Sequence, residues 1–139
     1  MTTIPAITFL LEDGDVLFAR SGATVGKAFV FKKTGEDACF AGYLVRVRTE
    51  RQKLLPEFLY FFTQSMAYHD YVRIATIQAT IENVSADKYA NLPICLPDIG
   101  NQKAIVNFLS YRIRHLEILT ANKKTLIQLL QEQRQVVIN

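Results

Sequence analysis

Three sets of side chains have the types that catalysis or metal ligation would use. Asp13 and Asp15 form a close carboxylate pair, the kind that holds a metal in a nuclease. They sit in Glu12-Asp13-Gly14-Asp15, a turn composition in which Asp is expected for backbone reasons, and no following Glu-x-Lys completes a metal site. Gly22-Ala-Thr-Val-Gly26-Lys27-Ala28 has the outline of a phosphate-cradling loop. Such a loop needs about four residues between its glycines and a Ser or Thr after the lysine to hold Mg²⁺. Here three residues separate the glycines, and Ala28 has no hydroxyl. His69 and His115 each lack a second ligand at metal spacing. Cys39 and Cys95 lie 56 positions apart with no CxxC partner. That fits a reducing cytoplasm and supports neither a disulfide framework nor a zinc finger. The sequence has no Asn-Pro-Pro-Tyr or Asp-Pro-Pro-Tyr of an amino-methyltransferase and no GxGxxG loop. It reads as a chain with no catalytic centre, no metal site and no cofactor.

Recognition chemistry remains. The 139 residues carry 16 Lys and Arg against 13 Asp and Glu, a formal charge of +3. Its distribution says more than its total. Residues 1–15 hold Glu12, Asp13 and Asp15, for −3. Residues 16–53 hold eight bases against Glu36, Asp37 and Glu50, for +5. Residues 54–100 return −3, and residues 101–139 carry +4. Within the +5 stretch, Arg20, Lys27, Arg46 and Arg48 fall on strands and loops from which they can meet phosphates or guanine edges. Arg46 and Arg48 equally suit a solvated strand face. Asn and Gln pair bidentately with adenine, which makes Gln78 and Asn83 candidates for base contact.

These residues need elements to position them. One domain fits the length, and a 50% hydrophobic content with 11% aromatics is enough for a core. No apolar run approaches the ~20 residues of a membrane span, and no charged n-region with an apolar stretch reads as a secretory signal. Short runs joined by turns predict strands over 7–11, 16–20, 27–31 and 39–48. In the last of these, Tyr43, Val45 and Val47 share one face and Leu44, Arg46 and Arg48 the other. Ser21–Gly26 is a small-residue loop carrying Ser21 and Thr24. Pro56 opens a helix whose apolar positions Phe58, Leu59, Phe62, Met66 and Tyr71 recur near helical spacing. The stretch 76–81 is ambiguous. Ser85 is a candidate N-cap for a short helix over 86–91, and 94–96 reads as a strand between Pro93 and Pro97.

Neither Gly nor Pro occurs after Gly100. A continuous helix of about 37 residues would run roughly 55 Å, far longer than a body of about 100 residues with a radius of gyration near 13 Å requires. Its heptad seam runs through Ile105, Leu109, Leu116, Leu119, Leu126, Leu130 and Val137, widened by Ile113 and Ile127 and flawed by Arg112, Lys123 and Gln133. Such a seam asks for a partner helix, and its flaws specify register at some cost in stability. A break near Ala121-Asn122 would instead make a helical hairpin. The expected fold class is α+β: a short-stranded mixed or antiparallel sheet with packed helices, then a long helix of coiled-coil type. The expected division is 1–98 and 99–139.

Four stretches in order resemble the target-recognition domain and conserved helix of the DNA-specificity subunit of type I restriction–modification enzymes. Leu11-Glu-Asp-Gly-Asp-Val-Leu-Phe-Ala-Arg-Ser-Gly-Ala-Thr-Val-Gly-Lys27 is similar to the family's Gly-Asp, Arg-x-Gly and Gly-Lys segment. Leu55-Pro-Glu-Phe-Leu-Tyr-Phe-Phe62 resembles its helix start, and Ile81-Glu-Asn-Val-Ser85 its Asn-Ile-Ser stretch. Leu92-Pro-Ile-Cys-Leu-Pro97 with Gln102-Lys-Ala-Ile-Val106 and Phe108-Leu109 resembles its lead-in to the long helix. The sequence departs at Asp98, where the family has a second proline, at Asn101, where it has Glu, and at Ala79-Thr80-Ile81, where it has Thr-Gln.

The resemblance implies a non-catalytic, sequence-specific DNA-recognition module. It would place methyltransferase and restriction subunits on a bipartite site in double-stranded DNA, in the cytoplasm and away from membranes. The residues expected to make the DNA contacts of such a module are Arg20, Ser21, Thr24, Lys27, Arg46, Arg48, Gln78 and Asn83. A family subunit has two recognition domains and two helices that pack antiparallel, so this chain is expected to be a truncated half-subunit or fragment. Pairing of two copies through the helix would replace the missing half, with Glu117 and Glu132 near partner bases. Two other readings stay open: a module that docks on the methyltransferase or nuclease subunits without reading DNA, and the recognition region of a single-chain methyltransferase–nuclease.

Overall fold

Three short β-branched and aromatic runs form the sheet. The computed structural model describes residues 10–77 and 83–138. In it β1 (Val16–Ala19) lies between β2 (Ala28–Val30) and β3 (Leu44–Val47) and is antiparallel to both. Val16 stands opposite Val30 and Val47, and Phe18 opposite Ala28 and Val45. Side chains alternate across a strand, so these six share one face. That face meets Leu59, Tyr68, Val72, Ala75, Val84 and Tyr89 to make the core. Arg46 lies opposite Leu17 on the other face, in keeping with the alternation expected along β3.

The strands are shorter than their sequence runs. A turn closed by the Leu44 N–H on the Ala41 carbonyl (3.0 Å) keeps residues 41–43 out of β3. Cys39, expected in the same strand, forms an isolated antiparallel bridge with Leu10 instead. Residues 7–9 of the first expected strand lie outside the described residues.

Pro56 does open a helix, α1 (Pro56–Phe62), with the proline in the first turn where its missing N–H costs nothing. The expected single helix to Tyr71 is two helices. The Thr63 hydroxyl donates to the Tyr60 carbonyl (2.7 Å), and the Ser65 hydroxyl accepts from the Tyr68 N–H (3.3 Å), which ends one helix and starts α2 (Met66–Ile77). This break resets the apolar phase. Tyr68, Val72 and Ala75 are the buried stripe of α2, while Met66, expected in the core, is exposed. The ambiguous stretch 76–81 begins as the end of α2, and its residues 78–81 lie outside the described residues.

Ser85 caps α3 (Ala86–Ala90) by accepting the Lys88 N–H. The strand expected over 94–96 does not form. Pro93 and Pro97 supply no backbone donors, and the segment crosses without regular structure while Leu92 and Ile94 pack against the core.

Asp98 then starts α4 (Ile99–Ile138), a helix of 40 residues. Its carboxylate accepts the Asn101 N–H (2.9 Å), so the residue that replaces the family's proline serves as the N-cap. The backbone N–H of Asn101 holds the Asp98 carboxyl below its ordinary value despite a smaller opposing effect of burial. Gln102 is fully buried in the first turn. It accepts from the Leu55 N–H (3.0 Å) and donates to the carbonyls of Lys53 and Pro97 (2.8 Å each). The helix continues unbroken through Ala121-Asn122, so the helical hairpin is not formed. The chain separates into two compact units, residues 1–103 and 104–139. No described helix is long and apolar enough to cross a membrane.

Candidate nucleic-acid interface

The two ends of the sheet use their charges differently. At the start of β1 the Asp-Gly turn and the residues after β3 form a closed ionic network. Asp15 is 1% exposed and accepts Arg48 Nε and Nη2 at 2.8 and 2.9 Å, with the Glu12 N–H at 2.8 Å. Arg48 Nη1 reaches Glu12 at 2.6 Å, and Arg51 holds both the carbonyl and the carboxylate of Asp13. Burial raises the Asp15 pKa, but the Arg48 and Glu12 hydrogen bonds outweigh it and hold the carboxyl below its ordinary value. The same pairing raises the Arg48 guanidinium above its own. The carboxylates that resembled a nuclease pair are therefore structural. Arg48, expected to meet DNA, commits its Nε, Nη1 and Nη2 within the fold. Arg46 is also engaged, donating to the Leu10 carbonyl (2.8 Å) with its guanidinium 5.3 Å from the Phe40 ring centre.

The remaining candidates among the described residues gather at the opposite end of the sheet. The Arg20 N–H bonds to the Tyr43 carbonyl (3.0 Å) and its own carbonyl accepts the Val84 N–H (2.8 Å). Ser21 and Asn83 form an antiparallel bridge, and Arg20 Nε donates to Asn83 Oδ1 at 3.3 Å. Residues 63 apart in sequence are thus fixed side by side. Among the described residues nothing holds the Arg20 terminal amino groups or the Asn83 amide nitrogen. These are donors suited to base edges and phosphates. The Ser21–Gly26 loop turns tightly, with Val25 N–H on Gly22 O and Gly26 N–H on Ala19 O (2.9 Å each), leaving Thr24 and Lys27 exposed beside this corner. Gly26 has φ +81°, and a Cβ there would lie 2.8 Å from Val72 Cγ1, so the loop needs glycine at that position. Tyr68 locks the same turn by donating to the Gly26 carbonyl (2.6 Å), and the Tyr89 hydroxyl donates to the Ala19 carbonyl (2.9 Å).

The structure thus brings together Arg20, Ser21, Thr24, Lys27 and Asn83, and places Arg46 and Arg48 in other contacts. Gln78 lies outside the described residues. One corner residue escaped the sequence reading. Tyr43, expected to share a strand face with Val45 and Val47, is 74% exposed. Gly42 just before it was the signal that the strand had not yet begun.

In the 104–139 unit the seam residues Ile105, Ile113, Leu116, Leu119, Leu126, Leu130 and Val137 are 40–85% exposed, and Leu109 is half-buried. A family model described as "Type I restriction modification DNA specificity domain" matches residues 6–129 of the chain. No match is found among curated proteins.

Proposed function

Because the chain belongs to the type I restriction modification DNA specificity domain family, we propose that it is a sequence-specific, non-catalytic DNA-recognition module acting on a bipartite duplex site. In this reading it positions methyltransferase and restriction subunits there, in the cytoplasm. Family membership carries the DNA-recognition role. The open end of the sheet supports a location for it: Arg20, Asn83 and Ser21 are fixed together with unspent donors, and Thr24 and Lys27 are exposed next to them. Arg20 and Asn83 read base edges, Ser21 and Thr24 offer hydroxyls, and Lys27 meets the backbone. Gln78, close to Asn83 in sequence, belongs to the same set. Arg46 and Arg48 act through the fold by holding the sheet and its turn, and Tyr43 offers an aromatic ring for contact beside Arg20.

The bare apolar seam of the long helix supports a second part of the proposal. Two copies pair antiparallel through Ile105, Leu109, Ile113, Leu116, Leu119, Leu126, Leu130 and Val137, and two-fold symmetry matches a palindromic bipartite target. The same seam also suits a module that docks on the methyltransferase or nuclease subunits without touching DNA.

Fluorescence anisotropy of the full chain with random-sequence duplex, read against log salt, separates these readings. DNA recognition predicts affinity that falls linearly with log salt, with a slope of about −0.9 per neutralised phosphate. No binding at the lowest salt would leave the docking reading in its place.

A further inference from the structure

We propose that the open concavity between the Gly26–Ala28 segment and the turn joining α1 to α2, lined by Lys27, Thr63, Gln64 and His69, seats a phosphate of the DNA backbone. This rests on the DNA-recognition reading and adds to it an anchoring site that extends from the Arg20–Asn83 corner through Lys27.

The first argument is a census of cations. The stretch 16–53 holds eight bases. Among the described residues Arg20 is bonded to Asn83, Lys33 to Asp37, Arg46 to a carbonyl, Arg48 to Asp15 and Glu12, Arg51 to Asp13 and Lys53 to Glu50. Among the described residues no ion pair or hydrogen bond holds the ammonium of Lys27 or of Lys32, and of the two it is Lys27 that lines this concavity. Its backbone is fully used, with its N–H on Thr24 O (2.9 Å) and its carbonyl accepting from Ala19 N–H (2.8 Å). The fold therefore fixes the root of this side chain and leaves its charge unspent.

The second argument is the shape and chemistry around it. The concavity measures about 440 Å³, within the ordinary size of a ligand site. Val25, Ala28 and Val72 give it an apolar floor, and Gln64 and His69 bring polar groups to its edge. Gln64 Nε2 donates to the buried Thr63 hydroxyl (2.9 Å), whose proton goes to the Tyr60 carbonyl (2.7 Å). That orients the amide and leaves its second N–H unpaired. The His69 imidazole carries at least one N–H in either protonation state. No described acidic residue lines the concavity. One cation, the Gln64 and His69 donors and an apolar floor match a phosphodiester, an anionic centre flanked by the hydrocarbon of two deoxyriboses.

The test compares the full chain with Lys27→Gln, with Gln64→Ala plus His69→Ala, and with Asn83→Ala, on random and selected duplexes across a salt series. Lys27→Gln should flatten the log–log salt slope by about 0.9, so that its deficit relative to the wild-type protein shrinks by about 3.5-fold between 50 and 200 mM salt. The loss should be the same for every duplex. Gln64→Ala plus His69→Ala should weaken binding to the same extent on every duplex, because both side chains donate to the phosphate and neither reads a base. Asn83→Ala should change the ranking of duplexes instead. A wild-type protein that binds DNA while Lys27→Gln keeps its full slope overturns the phosphate site alone. A wild-type protein that binds no DNA overturns the recognition reading and this site with it.

Discussion

Replacing Arg48 with alanine tests whether the basic strand face serves the fold or the DNA. The Asp15 carboxylate is 1% exposed and loses two of its three hydrogen bonds in this variant, at 2.8 and 2.9 Å, keeping the Glu12 N–H. Removing one partner of a buried ion pair costs about 3–5 kcal/mol, because the charge left behind stays buried. Two features place this case at the lower end. The Arg48 side chain is 43% exposed, so water already screens part of the attraction, and one donor to Asp15 remains. The expected loss is about 3 kcal/mol, which lowers Tm by roughly 12–24 °C for a body of this size.

The pH dependence follows from the depressed Asp15 pKa. A carboxyl held below its unfolded value stabilises the fold above that value, near pH ~4, and loses the contribution as pH falls through the folded value. The gap between wild-type protein and Arg48→Ala should be full at pH 7 and should close as pH falls below about 4. Thermal and urea unfolding followed by near-UV circular dichroism read this, because the chain has six tyrosines and no tryptophan. A loss at pH 7 within about 0.5 kcal/mol, as for an ordinary surface site, or a gap that does not narrow in acid, refutes the structural role of Arg48.

Gln102→Leu removes three hydrogen bonds at once and leaves the Leu55 N–H and two carbonyls without it. A stability loss of about 3 kcal/mol in urea titration is expected. Gly26→Ala meets both an unfavourable φ and Val72, and should cost about 2 kcal/mol by the same titration while leaving the long helix's far-UV signal in place. Leu116→Lys plus Leu119→Lys puts like charges into the proposed seam. Sedimentation velocity at tens of micromolar should show a dimer for the wild-type chain and a monomer for this variant, and a wild-type monomer would rule out pairing through the helix.

Local signals made much of this architecture legible. Pro56 and Ser85 mark helix starts because each acts on its own first turn. The absence of Gly and Pro after Gly100 announces a helix that runs to Ile138. Val45 and Val47 against Arg46 announce which strand face is core. Several misreadings share a cause, that short-range pattern does not show which backbone groups a side chain will bond. Thr63 and Ser65 split one helix into two and moved the buried stripe to Tyr68, Val72 and Ala75. Asp98 could not be seen as a cap while 94–96 read as a strand. The candidate interface was harder still. Arg20 and Asn83 are near-useless as a pair until the chain brings positions 63 apart into contact. The ionic partners of Arg48 were equally hidden, because Glu12 and Asp15 come alongside it only in the fold.

Selection from a pool of random duplexes with the full chain tests the central claim most directly. If this chain reads sequence through the corner of Arg20, Ser21 and Asn83, the bound duplexes should converge on a defined motif. That motif should relax at specific positions in Arg20→Ala and Asn83→Ala and stay unchanged in Lys27→Gln. Bound duplexes with the same base composition as the starting pool would contradict it.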